Sequence, residues 1–320
     1  MTAPGSTIAV TGATGFIGRR LCAALQDQGF AVRALARDAA RAADLSRAGV
    51  CVVAGDLDNQ RALRQLSGGC AAVVHAAAAV RGGSRAEFER INVAGTAALL
   101  AALQAQPAPP RLLLLSSLAA REPDLSWYAG SKRAAERLLE HTTTELDWLV
   151  LRPPAVYGPG DREMQPLFEW MARGIAVVPG SAGARLSLLH VDDLARAIIA
   201  CLFSPATRHR TLALCDGRPG GYDWHELAAT AATTWDRPVR LWRPPAWLLD
   251  AAASINLRLA GLTGRAPMLT PPKLCEMRHD DWVVDNEEIT ALTGWVPSLG
   301  LRQGLATIGV QTRQSGKAAL

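Results

Sequence analysis

The sequence has no run of about 18 uninterrupted apolar residues, which removes an obvious membrane-spanning helix. It has no CxxC pair. Its six cysteines, Cys22, Cys51, Cys70, Cys201, Cys215 and Cys275, stand far apart. That excludes zinc-ribbon and thioredoxin-type sites and suits free thiols in a reducing compartment. No basic segment opens the chain, and Gly12, Gly15 and Gly18 interrupt the first apolar stretch, so a secretory signal is not expected. There is no fixed-period repeat, and no low-complexity tract beyond Ala-rich helices. Neither sign of charge dominates: 34 Lys+Arg stand against 29 Asp+Glu, a net +5, and the arginines are scattered. No nucleic-acid footprint follows from that, and no metal site is expected. A soluble cytoplasmic protein is the expectation.

What is present is the balance of a folded chain. The 320 residues are 49% hydrophobic and 20% charged. That length allows one large domain or two ordinary ones, with a full core.

The first half alternates strand and helix signals. Short apolar or β-branched runs at residues 7–10, 31–35, 50–54, 72–75, 111–116 and 148–152 read as buried parallel strands. Helical patterns cover 18–28, 88–103 and 128–141, with Leu21, Ala24 and Leu25 on one face of the first and Gly29 stopping it. This alternation predicts an α/β fold, a doubly wound Rossmann parallel sheet with helices on both faces. After Pro153 the pattern breaks at Pro154, Pro159 and Gly160, and Pro, Gly and Trp become frequent beyond Pro205. A clean helical pattern at 191–203 returns to the main sheet. The expected division is a dinucleotide domain of residues 1–155 plus about 188–204. A smaller, mostly helical substrate lobe takes about 156–187 plus 205–320.

The sequence Gly12-Ala-Thr14-Gly15-Phe16-Ile17-Gly18 follows the first strand and opens a helix. A glycine turn there lets the backbone approach a pyrophosphate, and the helix N-terminus offers free N–H groups and a positive dipole end. Such a turn can also be purely structural, and its G-x-x-G-x-x-G spacing differs from the ordinary dinucleotide fingerprint. Strand two ends near Ala36 without the acid that holds an NAD ribose; Arg37 follows, with Arg33 before and Arg41 after. An arginine there suits a 2′-phosphate, so NADP(H) is preferred, with NAD(H) as the other candidate. The same arginines also fit solvated surface positions, and Arg33 fits the opposite face of its strand. Asp56 and Leu57 follow strand three, where a carboxylate can accept from the adenine amino group; a helix N-cap at Asp56 or Asp58 fits as well.

Tyr128 and Lys132 lie four apart on one helical face. An ammonium beside a phenol is expected to lower the phenol from its usual pKa of about 10 toward neutrality. Ser116 and Ser117 end the preceding strand, at the edge where ligands of such sheets bind. Together these residues suit hydride transfer, with Tyr128 as general acid/base, Lys132 tuning it and holding the ribose, and a serine clamping the carbonyl oxygen.

The chain resembles the extended short-chain dehydrogenase/reductases, in the NAD-dependent epimerase/dehydratase superfamily and its 3β-hydroxysteroid dehydrogenase and dihydroflavonol reductase-like branch. The resemblance rests on TGATGFIG from Thr11, GDL at 55–57, HAAA at 75–78, NVAGT at 92–96, SSLAA at 116–120 and YAGSK at 128–132. RPPAVYGPGD at 152–161, HVDDLARA at 190–197 and GWVP at 294–297 extend it over nearly the whole chain. It implies Ser117, Tyr128 and Lys132 as catalytic residues. It places Gly12, Gly15, Phe16, Ile17 and Gly18 at the cofactor loop, His75, Ala76 and Ala77 across the ribose, and Pro153 and Val156 beside the nicotinamide. His75 and His190 are better explained by packing, and Asn92 as a brace.

Three functions compete, because a fold does not fix a reaction. One is an NADP(H)-dependent ketoreductase with pro-S-type hydride delivery, the second a nucleotide-sugar epimerase or dehydratase that retains NAD, the third a non-catalytic dinucleotide sensor. The intact Ser117, Tyr128 and Lys132 disfavour the sensor. The sugar enzymes resemble one another in an Asn before the VYGP-like turn, where Pro153-Pro154-Ala155 stands here. They also carry an Arg six residues before the acid of VDD, where Leu186 stands, with Arg185 one place off; Arg185 or Arg218 remains a phosphate candidate. The stretch from Trp242 through Trp247 and Ile255 to Leu262, interrupted by Arg258 and Arg265, offers an apolar face with basic edges. It suits a lipid-like ligand, a peripheral membrane contact or plain lobe core. TGRAPMLTPPKL at 263–274, RHDDWVVD at 278–285 and the short 117–128 loop resemble the hydroxysteroid-dehydrogenase side of the family. The expectation is a ketoreductase for a hydrophobic ketone: sterol-type, flavonoid-like, or a long-chain 3-keto lipid such as a 3-ketosphingoid or 3-ketoceramide. By analogy with the family, residues 88–103 and 128–141 are a candidate homodimer contact.

Overall fold

The short apolar runs pair as parallel strands. In the computed structural model, which describes residues 5–142, 145–263, 266–267 and 269–309, β1 (Thr7–Thr11), β2 (Ala31–Ala36), β3 (Cys51–Ala54), β4 (Ala72–His75), β5 (Arg111–Leu115) and β6 (Trp148–Arg152) lie in one sheet. Two short strands follow β6: β7 (Ala155–Tyr157) and β8 (Ile175–Val177). Then come β9 (Arg185–Leu186), β10 (Leu188–His190) and β11 (Arg210–Ala213). The main sheet has seven parallel strands in the order β11-β6-β5-β4-β1-β2-β3. Its order reverses between β1 and β4, which opens the crevice where ligands of such sheets bind.

Period-two alternation feeds both faces of the sheet. Ile8, Val10, Val74, Leu113 and Leu115 point to one side and pack on α1 (Phe16–Asp27) and on α8 (Val191–Phe203) through Leu21, Leu25, Leu194 and Ile198. Ala9, Val73, Leu112, Leu114 and Val150 point to the other. There they meet α3 (Gln60–Ser67), α5 (Gly95–Gln104) and α6 (Trp127–Glu140) through Leu63, Leu66, Leu99, Leu103 and Leu139. Two further helices on the main domain, α2 (Ala39–Arg47) and α4 (Arg85–Phe88), are short. The predicted helix over 88–103 is not regular: residues 89–94 widen into a π-helical turn before α5.

The second lobe has its own core, in which Tyr157, Phe168, Met171, Trp224, Leu227, Leu301 and Leu305 meet. Its helices are α7 (Gln165–Ala172), α9 (Trp224–Thr234), α10 (Ala246–Thr263), α11 (Pro271–Met277) and α13 (Leu301–Ala306). It also holds short parallel pairs absent from the sequence reading. β7 pairs with β10, β8 with β12 (Arg240–Trp242), and β9 with β13 (Asp281–Trp282). The expected boundary needs one correction: residues 210–213, assigned to this lobe, form the edge strand of the main sheet beside β6. α12 (Glu287–Thr293) follows β11 back to that core, where Ile289 and Trp295 are buried. Asp193 ties the two parts: its buried carboxylate accepts from the backbone N–H of Ser298 at 3.1 Å and of Leu299 at 2.9 Å. That is the physical content of the HVDD and GWVP motifs. Leu262, Arg265 and Met268, cited for the apolar stretch and its motif, lie outside the described side chains.

Candidate active site

The glycine turn is a close approach of backbones. Gly12 has φ +72°, and a Cβ there would stand 2.6 Å from the Ala77 nitrogen and 2.7 Å from the Ala76 carbonyl. A Cβ on Gly18 would overlap the Gly12 carbonyl. Helix α1 starts at Phe16 on an N-cap, Gly15, that supplies no side-chain acceptor. By contrast, Asp38, Asn59, Ser126 and Asp223 cap their helices. Among the described residues no hydrogen-bond partner falls on the first-turn N–H groups of Phe16, Ile17 and Gly18, which fits a pyrophosphate. Thr14 turns its carbonyl to the Arg19 guanidinium at 3.2 Å, which shapes the turn.

A directed hydrogen-bond chain holds the opposite wall. The Ala77 N–H donates to Thr11 Oγ1 at 3.2 Å, and Thr11 bonds His75 Nδ1 at 2.7 Å. His75 Nε2 bonds Thr96 Oγ1 at 3.0 Å, which donates onward to the Asn92 carbonyl at 2.7 Å. Each hydroxyl has one proton, so the chain is complete only with a neutral imidazole protonated at Nε2. Burial, aided by the Lys132 charge, holds His75 down at about 3. His75 thus fixes Ala76 and Ala77 from below, and its ring does not reach the crevice. Asn92, inside the π-helical turn, clamps Ala79 by both of its backbone groups and reaches Ser131 Oγ at 2.8 Å.

The residues around the predicted ribose and adenine positions sort cleanly. Arg33 donates to the carbonyls of Gln65, Leu66 and Gly68 and so caps the end of α3. Arg37 and Arg41 are exposed, and among the described residues their side chains make no ion pair. Asp56 is half-buried and accepts from the Asp58 N–H at 3.1 Å. The N-cap of α3 is Asn59, so neither Asp56 nor Asp58 fills that role. Leu57 packs against Gly95.

At the end of β5 the two serines diverge. Ser116 is buried and donates to Glu136 Oε1 at 2.5 Å; Glu136 is fully buried and also bonded by Arg152 Nε at 2.9 Å. Ser117 Oγ accepts from the Ala119 N–H at 3.2 Å, and it lies in hydrogen-bonding range of the Tyr128 phenol. The carbonyl of buried Pro153 receives the Leu118 N–H at 2.8 Å and holds that loop. Val156 sits next to it in β7.

Lys132 is buried, and its Nζ donates to the Leu115 carbonyl at 2.7 Å. Burial brings it down to about 8, against the opposing pull of Glu136. The expectation that Lys132 would lower the Tyr128 phenol is not met. Burial dominates and pushes Tyr128 up, with Glu276 and Glu163 adding to the rise and the Ser117 hydrogen bond opposing it. The ammonium is committed to the strand-end carbonyl instead.

Beyond Tyr128 lies a shallow cleft lined by Val80, Phe88, Trp127, Pro267 and Pro272 and by the polar Arg81, Ser126, Thr270 and Lys273. Phe88 meets the Tyr128 ring edge-on at 6.3 Å between centroids, and Lys273 Nζ stands 5.4 Å from that ring's centroid. Glu276 pairs with Lys273 and accepts from Ser126 Oγ, the N-cap hydroxyl of α6, at 2.6 Å. Sequence reasoning assigned no role to Lys273, Glu276 or Thr11. No local pattern gives Lys273 or Glu276 its partner, since the second lobe brings both to Tyr128 across about 150 positions.

Comparison with known proteins fits this geometry. The sequence model of the NAD dependent epimerase/dehydratase family matches residues 8–211. The chain is 37% identical over 276 residues to a ceramide reductase of Caulobacter vibrioides, covering 86% of this chain and 85% of that one. It is 30% identical over 210 residues to a 2-alkyl-3-oxoalkanoate reductase of Stenotrophomonas maltophilia, covering 59% and 63%. Among solved structures, MoeE5 in complex with UDP-glucose and NAD superposes with a TM-score of 0.71 at 25% identity, over 95% and 97% of the chains. UDP-glucuronic acid 4-epimerase from Bacillus cereus, in complex with NAD, gives 0.69 at 17% identity over 94% and 96%, a likeness of fold. The glycine turn that admits a pyrophosphate, and a family match spanning that turn and the Tyr128 helix, lead to one conclusion: the chain belongs to the NAD-dependent epimerase/dehydratase family of extended short-chain dehydrogenase/reductases and is an oxidoreductase using a nicotinamide dinucleotide.

Proposed function

We propose that this oxidoreductase is an NADP(H)-dependent ketoreductase for a long-chain 3-keto lipid of the ketosphingoid or ketoceramide kind. One observation carries the reading: Tyr128, within hydrogen-bonding range of Ser117, lines a cleft that also presents Val80, Phe88, Pro267 and Pro272. Those apolar side chains suit a ketone carried on a hydrocarbon chain. Two further facts support it. The similar protein from Caulobacter vibrioides is named for reducing ceramide. The two arginines that remained phosphate candidates for a sugar nucleotide are engaged elsewhere, since Arg185 and Arg218 both bond Glu226.

The dinucleotide, when bound, supplies the hydride that reaches the carbonyl carbon. Tyr128 Oη gives its proton to the carbonyl oxygen. Its raised pKa keeps it protonated near neutrality. Ser117 donates a hydrogen bond to the same oxygen as charge develops on it. Lys132, whose ammonium donates to the Leu115 carbonyl, is the residue to hold the ribose. Thr14, Asp56, Leu57, Pro153 and Val156 belong to the same proposed cofactor wall. Arg37 and Arg41, which make no ion pair among the described residues, are the ligands for a 2′-phosphate.

The test is turnover. With NADPH, a 3-ketoceramide should be reduced and UDP-glucose left unchanged. Protein that purifies with bound NAD and epimerises UDP-glucose would replace this reading by the epimerase one.

A further inference from the structure

Helix α10 exposes an apolar face that nothing among the described residues covers. Its inward side is anchored: Ala253 is fully buried, and Asn256 Nδ2 donates to the Leu269 carbonyl at 2.9 Å. Trp247, Ala251, Ile255 and Leu259 follow one another at four-residue spacing and form a row along the outside, with Leu248 beside it. Trp247 is 70% exposed, Ile255 56% and Leu259 52%. Trp242, just upstream on β12, is 51% exposed. Scattered exposed hydrophobics are ordinary, but a contiguous row on one helix marks an interaction surface.

Charge selects the partner. Arg258 is exposed among these residues and Arg243 is exposed beside Trp242; neither makes an ion pair among the described residues. The single acid of the helix, Asp250, lies off the apolar row and pairs with Arg278 at 2.8 Å. A second copy of the chain docked by two-fold symmetry would bring the same arginines onto a patch with no acid to answer them. A bilayer containing anionic lipid answers both the apolar row and the arginines. The helix does not span, since Asp250, Asn256 and Arg258 interrupt it, and no described helix is long and apolar enough to cross a membrane.

We propose that α10 lies in the plane of an anionic membrane surface, its Trp247–Leu259 row sunk into the interface. The placement has a use. α10 packs on α11, and Pro272 and Lys273 of α11 edge the cleft at Tyr128, so the surface that touches lipid is joined to the entrance of the site. That use rests on the lipid-ketone reading; the docking does not.

The test uses the full chain and vesicles without ketone, so a failure of the proposed reaction leaves its outcome untouched. Sedimentation should carry the protein with vesicles of phosphatidylcholine plus phosphatidylglycerol roughly tenfold more than with phosphatidylcholine alone. The combined variant Trp247→Ser, Ile255→Ser, Leu259→Ser should lower that partitioning by at least about tenfold, with an unchanged melting temperature, because these side chains are already exposed. Arg258→Glu should remove most of the preference for phosphatidylglycerol. Wild-type protein left in solution with both vesicle types, or a triple variant that binds as well as wild type, would overturn the proposal. So would a wild-type dimer that the triple variant splits into monomers, which would give the face to a second copy.

Discussion

Acid should loosen the cofactor wall through one side chain. His75 is neutral in the fold and held at about 3, whereas an unfolded imidazole titrates near about 6.5. Between those values the unfolded chain binds the proton and the folded chain refuses it. The stability that neutral His75 confers is therefore full above about pH 6.5 and falls as the pH drops, by about 1.4 kcal/mol per pH unit. By pH 4 the loss is roughly 3 kcal/mol. Structurally, a proton on Nδ1 ends the Thr11 donation to His75 and leaves the Thr11 hydroxyl proton to find another acceptor. The assay is a difference, which separates His75 from other pH-dependent groups: urea unfolding of wild type and His75→Asn at pH 7, 6, 5 and 4. The variant is less stable at neutral pH, and its deficit should shrink by about 1.4 kcal/mol per unit below pH 6.5. A deficit that stays constant across the series would refute the argument.

The other expectations are simpler to read. Gly12→Ala forces a Cβ onto the Ala76–Ala77 backbone at positive φ, and should cost roughly 2–4 kcal/mol in unfolding experiments along with dinucleotide affinity. Arg37→Ala should weaken NADPH roughly tenfold or more in a fluorescence titration while leaving NADH nearly unchanged; equal weakening would take Arg37 out of the 2′-phosphate site. The two serines should separate. Ser116→Ala deprives buried Glu136 of a donor and should cost about 1–3 kcal/mol of stability with turnover retained. Ser117→Ala should leave stability alone and lower kcat roughly 100-fold.

The sequence made the sheet legible because buried parallel strands are short apolar runs with little competing periodicity, and 72–75 and 148–152 match the observed strands to the residue. Helices α2 and α3 were not legible. They are nine and eight residues long, and α2 buries only Ala42 and Leu45. Their definition comes from caps at Asp38 and Asn59 and from the sheet they cover. β11 was misplaced because its four residues, Arg-Thr-Leu-Ala, carry no strong strand pattern; pairing with β6 makes them a strand. At the site, one-dimensional spacing put Ser117, Tyr128 and Lys132 together, since they sit on consecutive elements. It could not report what each group touches. The Lys132 ammonium turned to Leu115, and the net direction of the Tyr128 shift followed burial and two distant carboxylates, Glu163 and Glu276. Interactions between elements far apart in the chain leave no periodic trace in either partner.

The central claim is that Tyr128 delivers the proton in a ketone reduction. Its most direct measurement is NADPH oxidation by wild type and Tyr128→Phe with a 3-ketoceramide, alongside NADPH binding by both. The account predicts a loss of turnover of roughly 100- to 10,000-fold with binding of NADPH nearly unchanged. Tyr128→Phe protein that still reduces the ketone at close to the wild-type rate would contradict it.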